Sequence, residues 1–375
     1  MRILLMKKFD AIIGRLAVAL LATPVPGTLP AKVTSILLIR PGGIGDAVHL
    51  IPAINAIKAA YPHTAIDVLA EKRNSAVFSL CPHVRTLLHY DKPADLLRTL
   101  RGRYDVVIDT EQWHRLSAVV ARLIHSPLSI GYATNERSRL FTHQIGYSHD
   151  EYEMHSFQRL LDPLGIEPQP VPECFLQIPA HAAKKAAAAL IAPFTEKPFI
   201  VLFPGASIAE RRWGLERFRR LTELLNGLEI RVVVVGGKED RAVGDMIVSG
   251  GAGMNLAGQT SLVETAAIIA KSALLVSGDS GVLHIAVGVG CPTVSLFGPG
   301  RAKKWAPRGE KHSVINKKIT CSPCTTYGTT PACPADVRCM KEIDVEEVFN
   351  AVTMLLTSTR VMASLCCKRE WIEVG

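Results

Sequence analysis

Arg40-Pro41-Gly42-Gly43-Ile44-Gly45-Asp46 is the stretch that decides the fold. It follows the apolar run Ser35-Ile36-Leu37-Leu38-Ile39 and precedes a helical pattern over residues 46–60, so it reads as strand, tight turn, helix. A second stretch, Ser277-Gly278-Asp279-Ser280-Gly281, repeats that plan between Ala273-Leu274-Leu275-Val276 and an apolar helix over 281–289. Glycines let a backbone approach a ligand closely, and a helix start offers free N–H groups and a positive dipole end. Two such turns, each opening its own α/β half, imply two nucleotide-binding-like domains facing one cleft.

Outward from these turns, strands and helices alternate. Strands are predicted over 33–39, 65–69, 105–109 and 128–131, with helices over 46–60, 94–100, 114–124 and 151–164. A proline-rich boundary spans 168–179, followed by a helix over 182–191. The second half has strands over 199–203, 231–235, 273–276 and 293–297 and helices over 215–225, 240–248, 262–270, 281–289 and 345–356. Alternation of this kind implies parallel sheets covered on both faces. The expected units are an N-terminal extension (1–31), two doubly wound domains (32–175 and 176–345) and a C-terminal helix and tail (346–375). Ligands of such sheets bind outside the carboxyl ends of the strands.

The 375 residues suffice for two cores, and the net charge of +9 points to an acidic ligand or an anionic membrane surface. A scattered basic surface without a specific role remains the plain alternative. Nucleic acid is disfavoured, because no lysine/arginine block alternates with aromatic residues. Near the N-terminus, Lys7-Lys8 precede an apolar stretch over 11–22 that Arg15 interrupts. It is too short to span a bilayer and reads as an amphipathic helix on a membrane, or as a helix packed on the protein itself.

Asp46, at a helix start, is placed either to cap that helix or to serve as a general base. His49 lies one turn on; Gly43 and Gly45 line the same turn. Asp279, Ser280 and Gly281 can hold an anion, with His284 on the same helix face as Ser280. Pro204-Gly205-Ala206-Ser207 followed by Arg211-Arg212-Trp213 offers a phosphate turn with an arginine to neutralise it. Glu239-Asp240, after Gly236-Gly237, could bind ribose hydroxyls or cap the next helix. Neither a Gly-x-x-x-x-Gly-Lys-Ser/Thr loop nor a Gly-x-Ser-x-Gly elbow occurs.

Of the nine cysteines, Cys81, Cys174 and Cys291 stand alone and Cys366-Cys367 lie near the C-terminus. Cys321, Cys324, Cys333 and Cys339 form a cluster that could bind a structural zinc, form disulfides or remain reduced.

These segments together resemble glycosyltransferase family 9, the lipopolysaccharide heptosyltransferases. The residues carrying the resemblance are 38–46, Pro204-Gly205-Ala206 with Arg211-Arg212-Trp213, Val235-Gly236-Gly237, and 277–284; the Cys-Ser-Pro-Cys loop with a later Cys-Met also recurs there. The resemblance implies a GT-B fold, two Rossmann-like domains with the active site between them. It implies an inverting enzyme that needs no cofactor and moves a sugar, heptose above all, from a nucleotide diphosphate donor such as ADP-heptose to a lipid-linked glycan, the lipopolysaccharide core or a relative. That places the work at the cytoplasmic face of the inner membrane. Asp46 falls on the catalytic base; Gly205, Ser207, Arg211, Arg212, Glu239, Asp279, Ser280, Gly281 and His284 fall on the donor side. Gly43, Gly45, His49 and Glu111 fall toward the acceptor. The chain departs from the family in having arginine where lysine commonly precedes the tryptophan, and Ser280 for threonine. It also has an unlike Asp109-Thr110-Glu111-Gln112 segment and a thirty-residue extension. A sugar-nucleotide epimerase of the same build and a non-catalytic nucleotide-sugar-binding protein are the competing readings.

Overall fold

The computed structural model describes residues 9–25, 27–190, 194, 198–251 and 253–362, without the side chains of 359–362. Lys7, Lys8, Cys366 and Cys367 lie outside them. Two six-stranded sheets form the frame. The first contains β1 (Ser35–Arg40), β2 (Ala65–Ala70), β3 (Val84–His89), β4 (Val106–Asp109), β5 (Leu128–Tyr132) and β6 (His143–Ile145). The second contains β7 (Phe199–Phe203), β8 (Arg231–Val234), β9 (Gly253–Asn255), β10 (Leu274–Gly278), β11 (Thr293–Phe297) and β12 (His312–Asn316).

Their orders are β3-β2-β1-β4-β5-β6 and β12-β11-β10-β7-β8-β9, parallel throughout. The second is the first repeated, with β7 to β12 standing where β1 to β6 stand. Connections leave in opposite directions between β1 and β4 and again between β7 and β10, which puts one crevice at each sheet's centre. The expected two-domain α/β architecture is what the chain adopts.

Eight strands match the alternation read from sequence. The other four, β3, β6, β9 and β12, correct it, and all four are sheet edges. Edge strands bury one side only: β6 is part-buried or exposed throughout, and β9 is part-buried throughout. They lack the continuous apolar run that marks a central parallel strand. The helix expected from residue 46 begins at Ile44, and the one expected over 151–164 is shorter, Glu153–Arg159 with a 3-10 turn at Asp162–Leu164.

The lobes share one apolar interior. A single cluster joins Leu38, Ile54 and Ile108 of the first to Val201, Leu275 and Ile285 of the second. Helix Ile44–Ala60 packs along helix Gly281–Gly288, and Ser75–Leu80 against Leu262–Lys271. The connecting segment is tied to both sides. Phe175 and Leu176 N–H donate to Gly288 O at 2.9 Å, and Gln177 N–H donates to Leu80 O at 2.8 Å.

Where the two helix starts meet, only glycine fits. A Cβ on Gly281 would lie 2.6 Å from Ile44 Cβ, and one on Gly45 would lie 2.6 Å from His284 Cδ2. Gly281→Ala must therefore part the lobes or displace Ile44. It is expected to cost ~1–3 kcal/mol, the scale of overpacking, read as a fall of several degrees in the thermal midpoint. Gly227→Ala, whose Cβ meets nothing within 4 Å, should leave the midpoint unchanged or raise it.

Candidate active site

The crevice of the first lobe is built on buried charge. Arg40 ends β1 and is fully enclosed; it donates Nε to Pro41 O (2.7 Å), Nη1 to Thr110 O (2.7 Å) and Nη2 to Glu111 Oε2 (2.8 Å). Burial alone would lower the Arg40 pKa; the surrounding carboxylates, Asp46 first and Glu111 next, outweigh it and raise the value. Beyond β4, Asp109 is paired with Arg137, both side chains wholly buried. Burial holds Asp109 above the usual carboxylate range despite that partner.

Asp46 differs from its neighbours. Its side chain keeps 24% of its surface open to solvent, while those of Arg40 and Glu111 keep 1% and 8%. Oδ1 accepts from Gln112 Nε2 at 3.2 Å and lies 3.9 Å from Arg40 Nη1. The side chain does not cap the helix, as its position at a helix start had allowed; it folds back over Gly43, whose absent Cβ makes room for Oδ2. Arg40 and Gln112 are thus the polar groups beside this carboxylate.

On the second lobe the turn after β10 opens helix Gly281–Gly288. Ser280 is its N-cap, its hydroxyl accepting from Leu283 N–H (3.2 Å) and meeting Ser277 Oγ (2.9 Å). The hydroxyl serves the helix cap, and the 280–281 backbone starts a helix at the lobe interface. The two arginines divide the work. Arg211 lies against this turn, Nη1 3.0 Å from Asp279 Oδ2, and its Nε is buried without a hydrogen-bond partner among the described residues. Arg212 instead steadies the turn after β7, donating Nη2 to Ala206 O at 2.9 Å. Gly205 and Gly236 leave room for Asp240, whose carboxylate accepts from Gly237 N–H at 2.9 Å. Asp240, rather than Glu239, organises that turn; Glu239 lines an open pocket of about 140 Å³ with Pro204, Arg212 and Leu215.

The lobes touch through polar groups that sequence reasoning missed. Lys304 of the second lobe enters the first, 2.6 Å from Glu153 Oε2, with both side chains buried. Glu153 Oε1 accepts from Gln112 Nε2 at 2.6 Å, and the same Nε2 reaches Asp46. A polar chain thus runs from Lys304 through Glu153 and Gln112 to Asp46. Desolvation raises Glu153 although Lys304 opposes it. Lys304 sits in a lysine-rich stretch that reads as solvated surface; the signal that could have found it is Trp305 beside it, which stacks on His49.

His49 Nε2 and His284 Nδ1 are 2.9 Å apart across the interface. His284 was expected to face phosphate; here one ring nitrogen is engaged by His49 and the ring packs on Gly45. Glu111 was expected in the open cleft. It is buried, with Oε2 on Arg40 and Oε1 accepting from Trp113 N–H at 3.1 Å, so its place is structural. Burial would raise its pKa, but Arg40 wins and lowers it. Asp46, Gly43, Gly45, His49, Asp279, Ser280, Gly281, His284 and Arg211 lie along this one interface, whereas Gly205, Ser207, Arg212 and Glu239 belong to the neighbouring strand-end turns of the second lobe.

The cysteine cluster stays a separate matter. Burial first, then neighbouring thiols, raise the pKa values of Cys324 and Cys339. Cys333 Sγ accepts from Val337 N–H, and Cys339 packs against Gly298. Among the described residues no three His, Cys, Asp or Glu converge as a metal-binding group.

Twin Rossmann-like lobes facing each other across one interface make the GT-B architecture. Residues 94–333 match the family described as "Glycosyltransferase family 9 (heptosyltransferase)", and the chain belongs to that family. Lipooligosaccharide heptosyltransferase 2 of Haemophilus ducreyi is 28% identical over 315 residues, covering 76% of this chain and 88% of its own. Among solved structures, the ADP-heptose lps heptosyltransferase II of E. coli aligns with a TM-score of 0.72 at 22% identity, over 87% of this chain and 100% of that one. E. coli heptosyltransferase WaaC with ADP-2-deoxy-2-fluoro heptose aligns with a TM-score of 0.67 at 18% identity, over 86% and 99%.

The histidine pair sets a pH response. Desolvation lowers both: His49 to well below 6.5, helped by His284 and Lys304, and His284 to about 4. The unfolded chain therefore takes up protons first as pH falls. Stability from this pair is complete above pH 6.5 and falls as pH drops below it, the His284 share being lost between 6.5 and about 4 and His49 acting in the same direction. Thermal midpoints across that window should fall with pH, and the slope should flatten in the variant His49→Gln/His284→Gln.

Proposed function

We propose that this chain is an inverting heptosyltransferase, moving heptose from ADP-heptose to a hydroxyl of the lipopolysaccharide core or a related lipid-linked glycan. The observation that carries the reading is Asp46: it is the carboxylate at the first lobe's switch point that keeps access to solvent, and its turn abuts the helix start at Gly281. The family supports heptose as the sugar, and the ADP-heptose analogue bound by the E. coli neighbour supports the donor.

Asp46 takes the proton of the acceptor hydroxyl as its oxygen bonds to the anomeric carbon. The bond from that carbon to the diphosphate breaks on the opposite face, which inverts the centre. The departing nucleoside diphosphate leaves with the bonding pair, and its growing charge meets the 280–281 amides and Arg211. Preorganised donors of this kind are worth about 3 kcal/mol each. The orphaned Arg211 Nε is consistent with an oxygen partner there. With charge met this way we propose that transfer needs no metal. The acceptor's lipid would hold the enzyme at the cytoplasmic face of the inner membrane.

Asp46→Asn should lower kcat by about 10²–10⁴-fold while the Kd for ADP stays within twofold, measured by single-turnover transfer and calorimetric titration. Unchanged transfer, or an equal loss of nucleotide binding, would remove Asp46 as the base. Transfer should persist in excess EDTA; its loss there, restored by a divalent cation, overturns the metal-free reading. In a thermal-shift screen, ADP-heptose at 100 times its Kd should stabilise by about 2.7 kcal/mol, with UDP- and GDP-sugars giving less.

A further inference from the structure

Among the described residues thirteen large apolar side chains are exposed, and seven of them lie between Phe9 and Leu29, so the exposure is concentrated in the N-terminal extension. The extension is anchored. It winds as Asp10–Gly14 and then Arg15–Leu20, and its inner face is Asp10, Gly14 and Val18. The Asp10 carboxylate caps the helix Arg115–Leu123, accepting from Arg115 N–H at 2.9 Å and Leu116 N–H at 2.8 Å. A Cβ on Gly14 would lie 2.8 Å from Arg115 Cβ, and Val18 joins the cluster of Leu37, Ile39 and Ala118. The sequence alternatives therefore meet in one element. The helix is packed on the protein, yet Phe9, Ile12, Ile13, Leu16 and Leu20 form an outward stripe at i, i+3, i+4, i+7 and i+11.

Charge names the occupant of that stripe. Asp10 is the sole acid from residue 9 to 20, and it is buried as a cap. The Arg15 side chain is 67% exposed and paired at 3.1 Å with Glu136, which Arg115 also neutralises; Arg139 is exposed on the segment packed beside the helix, and Lys7 and Lys8 come just before it in sequence. An apolar stripe flanked by bases on a chain of net charge +9 matches the headgroup layer of an anionic bilayer. No helix among the described residues is long and apolar enough to cross a membrane, so a bilayer contact made by this element would run along the surface. Its position carries a consequence. The helix that Asp10 caps follows directly on Glu111 and Gln112, and Gln112 holds Asp46. The stripe thus starts on the acceptor-lobe rim of the crevice.

We propose that residues 9–20 dock flat on an anionic lipid surface and hold the acceptor-side rim of the crevice against it, so that a lipid-linked glycan reaches Asp46 from the bilayer. This rests on the acceptor reading above. The test is sedimentation of the full chain with vesicles of phosphatidylglycerol and phosphatidylcholine, beside phosphatidylcholine alone, at low and high salt. The chain should partition onto the anionic vesicles, less at high salt. Ile12→Asp with Leu16→Asp should weaken partitioning at least about tenfold, as loss of buried apolar side chains requires, while the thermal midpoint and transfer to a delipidated acceptor stay unchanged. Wild-type chain left in the supernatant, or a double variant that binds as wild type does, overturns the proposal. So does a wild-type dimer that the double variant splits, which would make the stripe a subunit contact. If vesicles bind but the delipidated acceptor receives no sugar, the functional reading fails instead.

Discussion

Two helix N-termini pushed against each other are the constraint on which the site depends. Helices Ile44–Ala60 and Gly281–Gly288 begin at the same place from opposite lobes, and glycine on both sides lets their backbones touch. Each brings the positive end of its dipole and unsatisfied N–H groups. Left alone, like ends repel. Asp46 in one first turn and Asp279 before the other supply the compensating charge, and Asp279 in turn holds Arg211. A diphosphate between the lobes would meet the same field. The carboxylates at the turns and the proposed affinity for an anionic donor would thus have one electrostatic origin.

Buried charge around that junction does a different job. Arg40, Glu111, Asp109, Arg137, Glu153 and Lys304 are nearly closed to solvent, an arrangement that is costly unless each group is paired and hydrogen-bonded. Their bonds run from strand end to loop to opposing lobe, and removing one partner strands another. Gln112 shows the logic: one amide nitrogen faces Asp46 on one side and Glu153 on the other, so the orientation of the proposed base is linked to whether Lys304 is in place.

The central strands and the two glycine turns were legible because buried parallel strands are unbroken apolar runs and a strand–glycine–helix turn has few other uses. The outer strands were not, since β6 and β9 carry no such run. The positions of Asp46 and of the Arg211-Arg212 pair at strand ends followed from topology; that Arg211, rather than Arg212, lies against the turn after β10 did not. The functions of Glu111 and Ser280 did not, because a carboxylate or hydroxyl reads the same in sequence whether it faces a ligand or an adjacent backbone amide. Lys304 and Glu153 were hidden for a related reason. Each looks like surface alone, and only the closing of one lobe on the other makes them a pair.

The tie at Phe175–Gln177 limits any opening that would hinge there. Its bonds join Gly288 O of one lobe and Leu80 O of the other, and Gly288 ends the helix whose other end touches Gly45. Eight residues of helix give a lever of about 12 Å, so a swing of about 10° would part the glycines by only about 2 Å. Parting the lobes further calls for a wide gape or a sideways shear, and either would withdraw Lys304 from its socket beside Glu153.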